Sequence, residues 1–356
     1  MKRILVINPG GGSTKLAIYE DEECIMSETV IHPLEDIAAF GDVFSQLDYR
    51  EKAIGDFLRS RKVDLSTLDA VVGRGGALKP MESGTYRVTR TMVDDIRSGH
   101  VQAQHASNLG PLLAFDIAES MGKPAFIVDP VSVDEFIPEA RLSGDPELPR
   151  KSLDHPLNAK MVARRAAQEM GVKYRHINVI VVHLGTGTSI SPHRKGRMID
   201  VNNAHDGGPF STQRTGSLPV TQLVDLCYSG KLTRKQMLAR VTRHGGLTAY
   251  LGTDDLKDAE KRARGGDAKA GLVIRAMAYQ VAKEIGAAAA ALKGEVDAVI
   301  YTGGMAHSEY LVGLIREWVD FICDRVFVYP GEHERESLAL GALRVLRGEE
   351  EPKQYE

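Results

Sequence analysis

The chain has 356 residues, 26% of them charged and 43% hydrophobic, a composition that excludes fibrous, disordered and membrane-embedded classes. Its net charge of −3 excludes a strong long-range pull toward nucleic acid or an anionic membrane surface. The length exceeds what one core ordinarily serves and predicts two domains.

Lys2 and Arg3 precede only four apolar residues, too few for the core of a secretory signal. The most apolar helical stretch, around Ala270 to Leu292, carries Arg275, Lys283 and Glu284, so no membrane span is expected. Cys24, Cys227 and Cys323 are few and scattered, which argues for buried or inert thiols in a reducing, cytoplasmic setting without a cysteine metal cluster.

Ile4 to Ile7 reads as a buried strand and Leu16 to Tyr19 as a second. Between them lies Asn8-Pro-Gly10-Gly11-Gly12-Ser13-Thr14-Lys15. Glycine lets a backbone approach an anion and turn its N–H groups toward it, and the hydroxyls and the amine add donors. The segment suits a phosphate cradle, and equally an ordinary tight hairpin. A Walker A loop is excluded because Lys15 follows Ser-Thr and leads into a strand; a dinucleotide fingerprint also requires a following helix.

Further along, Tyr49 to Lys62 places Ile54, Phe57 and Leu58 on one helical face. Asp69 to Gly73 is a short buried strand running into Arg74-Gly75-Gly76. An arginine at the carboxyl end of a strand is placed to meet an anion above a sheet, or else belongs to a surface turn. Thr91 to Gly99 and Leu109 to Met121 read as helices. The second follows His105-Ala-Ser107-Asn108, where Ser107 or Asn108 suits an N-cap. Ala125 to Asp129 is an apolar strand ending in a carboxylate. Residues 138 to 156, with Pro138, Gly144, Pro146, Pro149 and Pro156, read as a connector, and His155 within it precedes a helix over Leu157 to Met170.

Ile177 to Ser191 repeats the opening pattern: an apolar strand, a polar residue (His183), Gly185 and Gly187 among hydroxyls, and a strand resuming at Ile190. Arg197 to Val201 follows as a third strand. Two such hairpins imply a duplicated β-meander-plus-helix domain with a cleft between the copies. Asn202 to Pro219 is too polar to pack a core, and long loops in compact proteins are usually functional; Arg214 is its candidate anion ligand. Helices are expected over Pro219 to Ser229, Thr233 to His244, Asp254 to Arg264 and Asp267 to Leu292. A strand over Asp297 to Thr302 ends in Gly303-Gly304, where a flat ring could lie against the backbone. A helix over Ser308 to Phe321, a strand over Arg325 to Tyr329 and a last helix over Glu332 to Arg347 complete the pattern, with an acidic tail expected to fray.

Nine segments in this order resemble the acetokinase family of the actin, sugar-kinase and Hsp70 ATPase superfamily. They are Asn8-Pro-Gly-Gly-Gly-Ser-Thr-Lys15, Gly-Arg74-Gly-Gly, His105-Ala-Ser-Asn108, Asp129-Pro-Val, His155-Pro-Leu-Asn, His183-Leu-Gly-Thr-Gly, Arg214-Thr-Gly-Ser, Thr-Gly303-Gly304 and Pro-Gly-Glu-His-Glu334. The resemblance runs from Ile4 to about Arg347 and implies an α/β fold of two duplicated ribonuclease-H-like, actin-like ATPase domains with a central interdomain cleft. The domains are expected at 1–150, completed by a C-terminal helix at about 335–356, and at 151–334.

The family also implies transfer of the ATP γ-phosphoryl group, with Mg²⁺, to a short-chain carboxylate to give an acyl phosphate. Carried over by position, the catalytic residues are Arg74, Arg214, His155, Asp129 and Asn8. The nucleotide would be held by Gly10, Gly11, Gly12, Ser13, Thr14, Lys15, His183, Gly185, Thr186, Gly187, Gly303 and Gly304, with Asp255 on the ribose or adenine side. Arg74, His105 and Asn108 would take the substrate. Asp129 and Glu334 would serve the metal, with Glu336 a competitor for the second role. Thr186, Gly11-Gly12 and the short chain depart from acetate-directed members and favour a butyrate or branched-chain kinase. Acetate or propionate kinase is the alternative, as is a non-catalytic nucleotide-dependent sensor on the same fold. The family further implies a homodimer or larger homo-oligomer.

Overall fold

The structure is a computed structural model that describes residues 1–356, the side chain of Leu34 excepted. The chain forms two compact units. One comprises Met1–Asp134, Pro156–Asn158 and His333–Glu356; the other comprises Glu135–His155 and Ala159–Glu332.

The first unit is built on a six-stranded sheet. In chain order its strands are β1 (Arg3–Pro9), β2 (Ser13–Glu20), β3 (Glu23–Ile31), β4 (Ala70–Arg74), β5 (Thr85–Arg87) and β6 (Ala125–Val128), arranged β3-β2-β1-β4-β6-β5. The first three make an antiparallel meander, β4 joins β1 in parallel, β6 joins β4 in parallel, and β5 closes the edge antiparallel to β6. The second unit repeats the plan with β7 (Asn178–Leu184), β8 (Thr188–Arg194), β9 (Arg197–Met198), β10 (Ala298–Gly303) and β11 (Val326–Pro330), ordered β11-β10-β7-β8-β9. Here too an antiparallel meander is extended by two parallel strands beside its first member. The expected duplication of a β-meander-plus-helix domain is present.

Sequence periodicity explains the layering. Successive strand residues face opposite sides, so continuous apolar runs bury both faces. In β1, Leu5 and Ile7 enter one core with Ile54, Phe57 and Leu113, whereas Ile4 and Val6 enter another with Leu338 and Ala342 of the last helix, Glu334–Leu346. In β7, Ile180 and Val182 pack under the long helix Ala268–Ala291, and Val179 and Val181 under Val162 and Ala166. The parallel strands deliver their carboxyl ends to one edge of each sheet, where the loops of interest begin.

Several expectations need correction. Strand β3 was absent from the sequence reading because its side chains are largely exposed and carry no apolar run. β9 is two residues long, not five. Gly246–Leu251 forms a further short helix between those expected over Thr233 to His244 and Asp254 to Arg264. Of the thiols expected to be buried or inert, Cys24 and Cys227 are exposed and free. The acidic tail is docked: Lys353 exchanges backbone hydrogen bonds with Thr85 and Arg87, and the buried Tyr355 donates its hydroxyl to Asp95 at 3.0 Å. Among the described residues, no helix is long and apolar enough to cross a membrane.

Candidate active site

In the first unit, three expected site residues meet at the strand ends. Asn8, near the end of β1 and 2% exposed, donates its Nδ2 to Glu334 Oε2 at 2.8 Å. Arg74, the last residue of β4, reaches the other oxygen of the same carboxylate, Nη2 to Oε1, at 2.8 Å. Glu334 opens the last helix and is 8% exposed, so its charge is held by a cation and an amide rather than by water. Glu336 instead faces His333. Of the two competing glutamates, Glu334 is the one that joins the site residues.

The Arg74 loop is seated by close packing. A Cβ on Gly76 would stand 1.8 Å from Asn108 Oδ1, and one on Gly75 would stand 2.4 Å from Pro130 Cβ, so neither position admits a side chain. Asn108 is fully buried; its Oδ1 accepts from Ala77 N at 2.9 Å and its Nδ2 donates to Ala103 O at 2.9 Å. Its amide therefore braces the loop that carries Arg74. His105 caps the adjoining turn by accepting from Ser107 N at 3.2 Å. Asp129, just beyond β6 with a left-handed φ of 38°, accepts from Ser83 Oγ at 2.6 Å and Gly84 N at 2.9 Å.

The first hairpin owes its shape to a residue that the sequence reading passed over. Arg50 is fully buried, yet its partners are turn carbonyls. Nη2 donates to Gly10 O at 2.9 Å and Gly11 O at 3.3 Å, and Nη1 to Ser13 O at 3.3 Å and Thr14 Oγ1 at 3.0 Å. Gln46 Oε1 accepts from the same guanidinium at 2.9 Å. Thr14 hydroxyl, accepting from Arg50, lies 2.8 Å from His32 Nε2. Thr14 is thus turned inward, away from any ligand. Gly11 and Gly12 are exposed, and a Cβ on either would touch nothing within 4 Å. With its carbonyls drawn onto a buried cation, the turn leaves its glycine face open for an anion.

In the second unit, His155 and His183 stack, ring centroids 4.1 Å apart and planes 10° from parallel. His155 Nδ1 lies 2.9 Å from Asp154 Oδ1 and 3.3 Å from Ser189 Oγ of β8. The Asp154 carboxyl is held below its ordinary range by its bond to His155 and by Ser189, against the opposing cost of its burial. Arg214 lies against the second hairpin, where a Cβ on Gly187 would stand 2.2 Å from its Nη1. Burial works against this guanidinium, and the Asp154 charge favours it.

The polar 202–219 loop is bound to that hairpin through its own hydrogen bonds. Asn202 Oδ1 accepts from Ile190 N at 2.7 Å, Asn202 Nδ2 donates to Thr188 O at 3.0 Å, and Ser211 Oγ donates to Thr186 O. Arg214 N returns a bond to Ser211 Oγ at 3.2 Å. His205 is exposed, yet partial desolvation by the surrounding loop and the neighbouring Arg214 push it below the ordinary histidine range.

Beside this cluster is a cavity of about 570 Å³, within the range of small-molecule pockets. Gly185 and Thr186 form one wall, Asp254, Asp255 and Lys257 another, and Gly304, Met305 and His307 a third. Gly304 has open space at its Cβ position. Gly303 behind it has φ 89° and a Cβ position 2.4 Å from Leu184 O, a conformation and a spacing only glycine accepts. Thr212 lines the same cavity, and its buried hydroxyl has no hydrogen-bond partner among the described residues. An orphaned buried hydroxyl on a cavity wall fits a polar ligand such as a nucleotide. Asp255 caps the helix Leu256–Arg264 through Lys257 N at 2.8 Å and stands at the cavity rim.

A resident metal fits less well. Among the described residues, no three His, Cys, Asp or Glu side chains gather as metal ligands. Asp129 and Glu334, the two carboxylates expected to serve a metal, hold protein donors instead.

Arg50, His32, Asp154, Ser189, Asn202, Ser211 and Thr212 were missed by sequence reasoning. Two left a trace. Arg50 stands four residues before Ile54 on the same apolar helical face, an unusual place for a cation; Asp154 immediately precedes His155.

Comparison with known proteins agrees with this architecture. The sequence profile of the acetokinase family matches residues 150–317. The solved acetate kinase of Porphyromonas gingivalis superimposes with a TM-score of 0.79 at 18% identity, covering 97% of this chain and 100% of that one. A propionate kinase from Francisella tularensis subsp. tularensis gives 0.74 at 17% identity, covering 96% and 99%. The acetate kinase of Entamoeba histolytica gives 0.71 at 14%, covering 90% and 87%. At these identities the structural likeness is one of fold. The acetokinase profile match is confined to residues 150–317, and the whole chain has the duplicated fold of the solved acetate and propionate kinases.

Proposed function

We propose that this protein is an ATP-dependent carboxylate kinase of the butyrate type, acting reversibly on butyrate or a branched short-chain acid. The observation that carries the reading is the second hairpin. Its Gly185 and Thr186 wall the 570 Å³ cavity while Gly187, two residues on, seats Arg214. A nucleotide in the cavity would thus present its phosphates to a strand turn already furnished with a guanidinium and two stacked imidazoles.

In the reaction a carboxylate oxygen attacks the γ-phosphorus of ATP, the bond to the β,γ-bridging oxygen breaks, and ADP leaves with that electron pair. The nucleophile is already an anion, so no general base is required. The obstacle is bringing two anions together, and positive charge and positioning should dominate. Arg214 and His155 would stabilise the transferring phosphoryl oxygens. Arg74, held by Glu334, would take the substrate carboxylate, and the Gly10–Lys15 turn would meet phosphate. Magnesium would enter with the nucleotide, held by its phosphates and by water; no step rests on a protein cage for it.

The butyrate preference rests on Thr186, Gly11-Gly12 and the short chain. Incubation with ATP, Mg²⁺ and a panel of C2 to C5 carboxylates, with hydroxylamine trapping of acyl phosphate, tests both levels. Hydroxamate strongest with a C4 or branched acid supports the reading. Hydroxamate only from acetate or propionate moves it to the alternative substrate, and none from any acid overturns it.

We also propose a homo-oligomer that uses the helix Val220–Tyr228. None of its residues is buried, and Val220, Val224 and Tyr228, at helical spacing, are 71%, 48% and 88% exposed. Sedimentation of the wild type and of Val224→Glu should show an oligomer that the substitution dissociates; a monomeric wild type would contradict it.

A further inference from the structure

Asp154 is a carboxylate taken out of water beside the reactive histidine. Its side chain is 0% exposed, a placement that costs free energy unless the charge is matched. Oδ1 lies 2.9 Å from His155 Nδ1, Ser189 hydrogen-bonds the carboxylate, and Oδ2 has no hydrogen-bond partner among the described residues. Nothing in the capping of the following helix requires it, because the N-cap position is His155 and no side-chain cap bond forms there.

An ionised carboxylate only accepts hydrogen bonds, so the proton in the Asp154–His155 contact belongs to Nδ1. That fixes the ring's tautomer and leaves Nε2 as its working nitrogen. The stacked His183 ring, 4.1 Å away, restrains the imidazole face-on while Asp154 restrains it edge-on. The other ionisable groups acting on the pair are Arg214 and His205, the latter beside Asp206.

We infer that Asp154 is a positioning residue of the kinase reaction, holding His155 with Nδ1–H toward its own carboxylate and Nε2 free for the phosphoryl group in flight. The inference rests on the carboxylate kinase reading. When Nε2–H donates to the phosphoryl oxygens the ring carries a positive charge, and the buried carboxylate balances it without touching substrate. The arrangement is that of an aspartate orienting a histidine in a hydrolytic triad, with the histidine acting here as a donor to phosphate rather than as a base. A neutral amide of the same shape cannot balance that charge; with its N–H₂ toward Nδ1 it donates there and leaves a neutral ring with its single proton on Nε2.

The test uses the full-length protein in two readouts. Nitrogen-15 NMR of histidine-labelled wild type, with His155 resonances assigned by loss in His155→Gln, should show a protonated Nδ1. Asp154→Asn should move the proton to Nε2. In steady state, Asp154→Asn should lower kcat by about 10²-fold or more with KM for ATP within about twofold, and Asp154→Glu should recover part of the loss. A wild-type ring without a proton on Nδ1 would overturn the inference, and this measurement requires no activity from any variant. So would an Asp154→Asn enzyme with wild-type kcat, or one whose loss lies wholly in KM for ATP. Absence of acyl phosphate from the wild type would overturn the reaction itself, whereas the ring nitrogens report the pair independently of turnover.

Discussion

The guanidinium of Arg214 rests on the backbone of Gly187, with 2.2 Å between its Nη1 and the position a Cβ would occupy. The glycine of the second hairpin is therefore a seat for a cation as well as a flexible joint. Gly187→Ala should displace Arg214 and lower kcat by about 10²-fold, the scale of an ångström-sized misplacement. Arg214→Ala should lose about 10³-fold with ATP binding largely retained. The double variant should be no worse than Arg214→Ala alone, and equilibrium nucleotide titration beside steady-state rates checks all three.

Glu334 accepts from Arg74 on one oxygen and from Asn8 on the other. Glu334→Gln leaves one acceptor for two donors and turns an amide N–H₂ toward one of them. Loss of a charge-assisted bond of about 1.5–3 kcal/mol should reduce kcat/KM for the carboxylate by roughly 10- to 150-fold. KM for ATP should move little. A larger effect on ATP than on the acid would place Glu334 with the nucleotide instead.

Arg50 satisfies three turn carbonyls and the Thr14 hydroxyl from inside the first unit. Arg50→Met keeps much of the side-chain volume but leaves the buried Thr14 hydroxyl and the half-buried turn carbonyls without their donor. It should lower the unfolding free energy by about 2–4 kcal/mol and weaken phosphate-dependent affinity more than adenosine affinity. Urea unfolding, with titration of ATP against adenosine, separates the two effects.

The same network sets an acid limit. Burial, and next the charge of Arg50, lower the pKa of His32. Thr14 hydroxyl accepts from Arg50, so it donates to a neutral His32 Nε2. Between the folded and unfolded pKa values the unfolded chain binds the extra proton, so stability rises with pH there. The contribution is complete above about pH 6.5 and falls as pH drops through the folded value. The depressed carboxyl of Asp154 adds stability that is present above about pH 4 and lost as pH falls through its folded value. Urea midpoints should decline from pH 7 to pH 5, and His32→Asn should flatten that decline.

Much of the fold was legible because both sheets are built from apolar runs such as Ile4 to Ile7 and Val179 to Val182, which admit few other readings. What escaped was polar on its visible side. β3 has an exposed edge pattern, and the docked tail is held by Lys353 backbone bonds and by Tyr355, neither of which leaves a periodic signal. In the site, glycines announced the two hairpins, and strand-end positions announced Arg74 and Asn8. The groups that hold them could not be read so directly. Arg50 reaches a turn some 40 residues away in sequence, 40 to Gly10 and 39 to Gly11. Asn108 braces the Arg74 loop where it read as a helix cap, and Thr14 turns inward where its hydroxyl suggested a ligand. Long-range partners of this kind follow from tertiary packing, which local pattern does not encode.

Phosphorus-31 NMR of the purified protein with ATP, Mg²⁺ and butyrate tests the central claim most directly. The account predicts that the γ-phosphate signal declines while ADP and one new acyl phosphate resonance grow in equal amounts, and that the change reverses when ADP and acyl phosphate are supplied. ATP that stays intact with every short-chain acid, or that yields only inorganic phosphate, would contradict it.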